Sequence, residues 1–306
     1  MTTGYLILAR AVHFGACLLF FGIFAFDRFV AASVFENGKS EAAHYWKSCL
    51  RFFSLILLPV MFVSGAAWFV LVAMAMSGQP PRLETLQTVW LQTQFGTVWQ
   101  IRMAVWAVAM AAVILIQSTK SGNPFPDKFI WFQFLCGGLL LGSLAWAGHG
   151  REDSRWHLTA DVLHLLGAGV WPAGLLPFAM VLRRLRSTSE TTIGPFVRRF
   201  SSLSLGTVLL MAATGLVNTW FLAGSFSNLV GQSYGRWLLL KIALFCIATA
   251  IGAINLLRLR PRLSVEDPRS PAAQAAGARL QTNVQAELLL GAAVVMIVAV
   301  LGVLPP

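Results

Sequence analysis

Residues 146–171 read WAGHGREDSRWHLTADVLHLLGAGVW, in which a short polar gap separates the end of one apolar run from the start of the next. A helix needs roughly 20 apolar residues to cross the hydrocarbon core of a bilayer. The chain contains eight such runs, at about 5–26, 51–76, 95–117, 129–147, 157–182, 200–224, 236–257 and 284–304. It is 57% hydrophobic and 11% charged, and it lacks the strand alternation of a membrane barrel. The sequence therefore predicts an all-α polytopic membrane protein with eight transmembrane helices.

The formal net charge of +11 is distributed in a way that predicts the topology. Lys and Arg number 16 in the loops 27–51, 118–128, 183–199 and 258–283, and 4 in the segments on the other side. Loops rich in Lys and Arg face the cytoplasm. We therefore expect an inner-membrane protein with both termini in the periplasm. The basic loops then lie beside anionic membrane lipid, and no nucleic acid is needed as a partner.

The two halves of the chain resemble each other. Residues 9–22 (ARAVHFGACLLFFG) align with 160–174 (ADVLHLLGAGVWPAG), which places His13 over His164. RFFSL at 51 aligns with RFSSL at 199, and 94–105 aligns with 233–244. Because each unit contains an even number of helices, both units have the same orientation. The pattern predicts two parallel four-helix repeats, residues 1–150 and 151–306.

Four of the five histidines are predicted to lie toward the periplasmic side. His149 and His157 are expected at the outer surface, and His164 about 10 Å below the start of its helix. His13 is expected about 12 Å below the start of the first helix. Imidazole is a good ligand for copper, zinc and iron, so all four are candidate metal ligands. We hypothesise that His13 and His164 hold one metal centre together. The alternative is that they are hydrogen-bonded core groups.

Two methionines extend this candidate set. Met74 and Met76 lie in AMAMSG, at the predicted periplasmic end of the second helix. A thioether prefers Cu(I), so both are candidate ligands for the capture of copper. The alternative is an ordinary apolar role at the end of a helix.

Two pairs of charged residues occupy equivalent positions in the halves and are candidate supporting charges. Arg10 and Asp161 each precede a histidine by three residues and share its helix face, so they could pair beside the metal, or extend to the interface. Arg102 and Lys241 form the second pair. Two cations repel a copper ion unless acids neutralise them, and they suit an anion such as a haem propionate or a lipid headgroup.

Three stretches carry a resemblance to a known family: HLLGAGVWPAGLLPF (164–178), RFSSLSLGTVLLMAATGLVNTW (199–220) and SYGRWLLLKIAL (233–244). In this order they resemble the CopD family of bacterial inner-membrane copper-resistance proteins, over about residues 150–263. The family usually has a glycine pair after the tryptophan, where this chain has Pro172 and Ala173. The resemblance implies copper handling at the cytoplasmic membrane, alongside a periplasmic copper-carrier protein.

Three hypotheses of function follow. The first is a copper-binding membrane transport protein of the CopD type. The second is a membrane redox protein with b-type haem between helices, which would make the chain an oxidoreductase. The third is a membrane docking partner for a periplasmic copper protein. The sequence contains no P-loop, HExxH or GxSxG motif, so ATP-driven pumping and hydrolysis lack recognisable machinery.

Overall fold

The computed structural model describes residues 2–35, 40–78, 80–118, 125–147, 155–188, 192–265, 267 and 269–305. Eight helices in these segments are long and apolar enough to span a membrane: α1 Thr3–Val34, α2 Glu41–Ser77, α3 Gln94–Gln117, α4 Asp127–Trp146, α5 Arg155–Thr188, α6 Ile193–Leu222, α7 Ser233–Ser264 and α8 Pro271–Leu301. No strand occurs in the described segments. The predicted all-α fold with eight transmembrane helices is confirmed.

The ends of the long helices follow from local capping chemistry. Ser40 accepts hydrogen bonds from the backbone N–H groups of Ala42 and Ala43 and so caps the start of α2. Gly78 ends the same helix with a φ of 67°, a left-handed conformation that costs glycine little. Ser270 caps α8, whose first residue is Pro271.

Two short helices lie in segments that the sequence indicated only as loops. They span Leu83–Gln92 and Phe226–Gly231, and each is followed at once by a spanning helix, α3 or α7. The chain turns at one extended residue in each case, Thr93 or Gln232. A Cβ atom at Gly96 or Gly235, in the first turn of the spanning helix, would overlap carbonyl groups of the preceding short helix. Only glycine allows the backbone to approach so closely.

Four spanning helices depart from regular α-geometry, and one of them, α4, ends in a 3-10 segment at Ser143–Ala147. In α5 a turn at residues 171–174 separates Arg155–Val170 from Leu175–Thr188, as expected from Pro172. Segments of π-helix interrupt α1 at Asp27–Ala31 and α7 at Asn255–Leu259. In such a segment each hydrogen bond spans five residues where a regular α-helix spans four, and these segments are frequent at functional sites.

The helix α1 is the centre of the bundle. It packs against α2 and α4 on one side and against α5 and α8 on the other. Its buried side chains, which include Phe20, Ile23 and Phe24, belong to the main hydrophobic core. The first part of α5, Arg155–Val170, packs on α6, and α7 packs on α8. The space enclosed by α1 and α5–α8 contains the candidate site. The internal repeat and the periplasmic position of the termini stay predictions.

Candidate functional site

His13 lies in a closed polar cluster between α1, α2 and α3. Its Nδ1 atom is 3.0 Å from the carbonyl oxygen of Met61 and 3.2 Å from the hydroxyl of Ser64. Because that hydroxyl donates its own proton to the Val60 carbonyl, it can only accept from His13. Nδ1 therefore carries the proton, and Nε2 is the acceptor. A guanidinium nitrogen of Arg102, 2.6 Å away, donates to Nε2.

Arg102 is the cation of this cluster and is 2% exposed. Its guanidinium also donates to the Leu140 carbonyl and to the Ser143 hydroxyl, and it lies 3.6 Å from the sulfur of Cys17. No acidic side chain forms a salt bridge with it among the described residues. The cluster therefore combines a buried positive charge with neutral acceptors. A metal cation at His13 would have to displace Arg102 and overcome its repulsion.

His164 also has a hydroxyl group at Nδ1, but no hydrogen bond reaches its other ring nitrogen among the described residues. Its Nδ1 atom is 3.1 Å from the hydroxyl of Thr214, and that hydroxyl donates to the Leu210 carbonyl at 2.8 Å. Nδ1 of His164 therefore carries the proton, and Nε2 has a free lone pair. In the described part of the chain, no hydrogen bond reaches this Nε2, and the ring borders a cavity.

The cavity measures about 460 Å³ and lies between α1, α5, α6, α7 and α8. Most of its wall is apolar. Its ionisable and hydrogen-bonding groups are those of Arg10, His157, Asp161, His164, Asn218, Thr219, Tyr234, Lys241, Cys246 and Glu287. On α5 the spacings of four and three residues place His157, Asp161 and His164 on one face. The structure thus brings two predicted ligands and three predicted supporting charges to one cavity.

The charges in the cavity are partly compensated. Asp161 accepts a hydrogen bond from the Asn218 amide at 3.3 Å and interacts electrostatically with Lys241. The hypothesised pair of Arg10 with Asp161 is not formed, since no salt bridge joins them in the described segments. Instead, the guanidinium of Arg10 lies over the ring of Trp68, 4.8 Å from its centroid.

The remaining predicted ligands have different outcomes. His149 is outside the described residues. Met74 and Met76 end α2 and do not line the cavity, and Met76 is 58% exposed. His157 was expected at the surface but is buried, because α5 packs its ring in parallel on the ring of Phe221, at 4.9 Å. The prediction of a surface position for His157 is therefore wrong.

His13 and His164 do not share a partner. The described contacts of His13 come from α2, α3 and Cys17 of its own helix, whereas those of His164 come from α6 and α7. A haem held by both would need both Nε2 atoms to face one space, and that of His13 faces Arg102. These contacts therefore do not fit a haem between the two histidines. They also do not favour a single shared metal centre.

One acidic residue of the cavity escaped the sequence analysis. Glu287 lies on α8 and is 3% exposed. The Asn255 amide donates to its Oε1 atom at 2.7 Å, and the Asn283 amide donates to Asn255 at 2.6 Å. The sequence does contain a feature that could have identified this residue: Glu287 is the single charged residue in the apolar run 284–304. Ionisable residues within a membrane are rare and usually functional.

The fold and this cavity define a multi-pass inner-membrane protein with a polar site inside the bundle. A family model described as copper resistance protein D matches residues 194–301, and one described as copper resistance protein D-like, N-terminal domain, matches residues 1–154. Copper resistance protein D of Pseudomonas syringae pv. tomato is 34% identical over 281 residues, which cover 88% of this chain and 86% of that protein. The chain belongs to the copper resistance protein D family.

Two further relatives are more distant. Copper transport protein CutJ of Bacillus subtilis (strain 168) is 29% identical over 222 residues, which cover 70% of this chain and 37% of that protein. Inner membrane protein YebZ of Escherichia coli (strain K12) is 27% identical over 220 residues, 71% of this chain and 70% of that protein. No solved structure matches the chain. The family and these relatives establish a copper-related function at the inner membrane.

Proposed function

We propose that this protein binds copper within the cavity and moves it across the inner membrane, with Nε2 of His164 as the central ligand. The observation that carries the proposal is the arrangement of the His164 ring, which borders the cavity: Thr214 holds its N–H group, and no hydrogen bond reaches its Nε2 atom among the described residues. An acceptor that holds the N–H group in this way orients an imidazole and increases its basicity toward a metal.

The charges around the two deep histidines favour His164 over His13. Beside His164, the cation Lys241 interacts electrostatically with Asp161, and neither bonds to Nε2 in the described structure. Beside His13, the cation Arg102 has no acidic partner among the described residues and donates to Nε2 directly. Copper at His164 therefore does not have to displace a cation from the ligand atom, as it would at His13. We assign His13 and Arg102 to holding α1, α2, α3 and α4 together.

The small number of ligands is consistent with an ion in transit. Among the described residues, no three His, Cys, Asp or Glu side chains are close enough to hold a metal together. A structural site encloses its metal with four ligands, whereas a transport site must also release the ion. His157 and His164, about 10 Å apart along α5, would act as successive sites. A periplasmic copper-carrier protein would deliver the ion at the predicted outer end, where His149, Met74 and Met76 are candidate capture residues.

Metal analysis of purified variants tests the ligand assignment. His164→Ala should lose most of the bound copper, and His157→Ala should reduce it. His44→Ala is the matched control, because this exposed histidine bonds only to the Ser40 carbonyl of its own helix in the described structure and should retain full copper binding. Full copper content in both cavity variants would refute the assignment.

Copper flux and optical absorption test the function itself. Purified protein in proteoliposomes should take up copper, and His164→Ala should abolish the uptake. An absence of protein-dependent flux for both Cu(I) and Cu(II) would refute transport. The absorption spectrum of the same protein, isolated from haem-replete cells, should show no Soret band. A Soret band at stoichiometric haem would instead assign the protein to the haem-binding hypothesis.

A further inference from the structure

We propose that Glu287 binds a proton when the cavity is empty and releases it when a copper ion enters, so that copper movement is coupled to proton movement in the opposite direction. This inference rests on the proposed function above. It concerns a residue on α8 for which the copper hypothesis alone supplies no role.

The first argument is the position of the carboxyl group. Glu287 lies 14 residues before the end of α8 at Leu301, about 21 Å along the helix axis. His164 lies nine residues after the start of α5, about 14 Å along its axis. If both helix ends face the periplasm, as the sequence predicts, Glu287 is the deeper of the two. It therefore lies beyond His164 on an inward path through the same cavity.

The second argument is the absence of a compensating cation. The hydrogen-bond partners found for the Glu287 carboxyl group are the Asn255 amide and the Trp171 indole, and both are neutral. Its Oε2 atom faces Gly252, where even an added Cβ atom would be 3.6 Å away. No salt bridge to Glu287 is found in the described segments. An ionised carboxylate without a counter-ion is costly at this depth, so the empty site holds a proton.

No salt bridge joins Glu287 to another titratable group of the cavity in the described segments. These groups belong to Arg10 on α1, to His157, Asp161 and His164 on α5, and to Tyr234, Lys241 and Cys246 on α7. Lys241 interacts electrostatically with Asp161, and Arg10 lies against Trp68. Arg186 on the inner part of α5 packs against Gly277, ten residues along α8 from Glu287. None of them neutralises the Glu287 carboxyl group.

The third argument is the net charge of the cavity. With Arg10 charged, Lys241 compensated by Asp161 and Glu287 protonated, the empty cavity carries one net positive charge. A Cu(I) ion would add a second positive charge in an environment of low dielectric constant, which is unfavourable. If the O–H bond of Glu287 breaks and the proton leaves as copper enters, the net charge remains the same. The exchange moves one proton for one Cu(I) ion, with no change of oxidation state.

Two side-chain amides beside Glu287 favour such an exchange. Asn255 is the first residue of the π-helical segment in α7, and it connects Glu287 to the Asn283 amide. The two amides form a chain in which each donates toward the carboxyl group. Such a chain can stabilise the carboxylate at the moment when the proton has left.

Proton release on metal binding tests the proposal. The full-length protein in detergent, with minimal buffer and a pH-sensitive dye, is titrated with Ag(I), a redox-inert substitute for Cu(I). The wild type should release about one proton per bound ion. Glu287→Gln should bind silver more weakly, because no proton can leave to offset the charge of the ion, and at saturating silver it should release none. The exposed Glu84→Gln is the control that should behave as the wild type. Unchanged proton release by Glu287→Gln would overturn the proposal.

Two further measurements separate this proposal from the proposed function. Loss of silver binding in His164→Ala, together with weakened but measurable binding in Glu287→Gln, supports both. If the wild type binds no silver, the proposed function fails and the exchange fails with it. Infrared spectroscopy provides a direct readout: a protonated carboxyl band should disappear on silver binding in the wild type and be absent from Glu287→Gln. If Glu287→Gln does not fold, Glu287→Asp should retain the band and its loss on binding. A band that persists in silver-bound protein would refute the exchange.

Discussion

The substitutions His13→Ala and His164→Ala should have opposite effects, although the two residues occupy equivalent positions in the aligned halves. His13→Ala should destabilise the fold strongly and leave copper binding nearly intact. His164→Ala should remove copper and change stability little. The expectation follows from the hydrogen bonds of each ring. Those of His13 are buried and satisfied, whereas the His164 ring borders a cavity and no hydrogen bond reaches its Nε2 atom among the described residues.

The magnitudes can be worked from these contacts. Removal of the His13 ring leaves a donor of the buried Arg102 guanidinium without an acceptor, which costs about 1.5–3 kcal/mol. The lost bond from Nδ1 adds about 1 kcal/mol, and the lost packing between Trp68 and Trp99 adds about 1 kcal/mol. His164→Ala loses one neutral hydrogen bond, to Thr214, worth about 1 kcal/mol. The two variants should therefore differ in free energy of unfolding by about 3 kcal/mol.

The assay is equilibrium unfolding in mixed micelles with increasing SDS, with copper content measured on the same preparations. The control is His44→Ala, which should change neither quantity, because His44 is exposed. If His13→Ala and His164→Ala lose copper equally, and the double variant loses little more, one shared centre is correct and the two-cluster interpretation fails. Equal stability of the two variants would contradict the assigned role of Arg102.

Three further predictions concern the neighbours of these residues and the topology. Gly65→Ala should destabilise the protein by about 1–3 kcal/mol, because the new Cβ atom would lie 2.9 Å from the His13 ring, whereas Gly215→Ala, at 3.4 Å from the His164 ring, should have nearly wild-type stability in the same unfolding assay. Asp161→Asn should weaken copper binding about tenfold, because Lys241 is then uncompensated, and Lys241→Met should strengthen it; a competition titration measures both. Reporter fusions after Asn37, Glu190 and Ser270 should report the cytoplasm, and those after Pro80 and Asp153 the periplasm; a cytoplasmic signal at Asp153 would invert the topology.

The fold could be predicted from the sequence because a bilayer imposes one strong requirement, a long apolar run for each crossing. The ends of helices were less predictable, since helices continue beyond the hydrocarbon region. The second run was predicted to begin at residue 51, whereas α2 begins at Glu41. The extra turns contain His44 and Lys47 and are polar, so hydropathy does not detect them. The cap at Ser40 determines the start instead.

The candidate site was only partly predictable. Asp161, His164 and Lys241 were recognised as polar residues in apolar runs, and the structure brings them to one cavity. Glu287 carried the same signal, but it has no counterpart in the aligned repeat and no histidine nearby in sequence. The different roles assigned here to Arg102 and Lys241 could not be predicted, because they depend on which neighbour each cation reaches across the bundle.

The two histidine clusters show how one arrangement can support two roles. MFVSG at residues 61–65 and MAATG at residues 211–215 supply equivalent contacts, a methionine carbonyl and a hydroxyl at Nδ1 of the histidine. One turn after the hydroxyl residue, α2 has Trp68 and α6 has Asn218.

This difference determines whether the space beside the histidine is filled. Trp68 packs on the ring of His13 and carries the guanidinium of Arg10 on its face, so the first cluster is closed. Asn218 is smaller and donates to Asp161, and the second cluster opens into the cavity. An ion can be exchanged only where a ligand faces open space. We therefore propose that copper is handled beside His164, in the second half of the chain, and we predict that the stability of the bundle depends more on the His13 cluster in the first half.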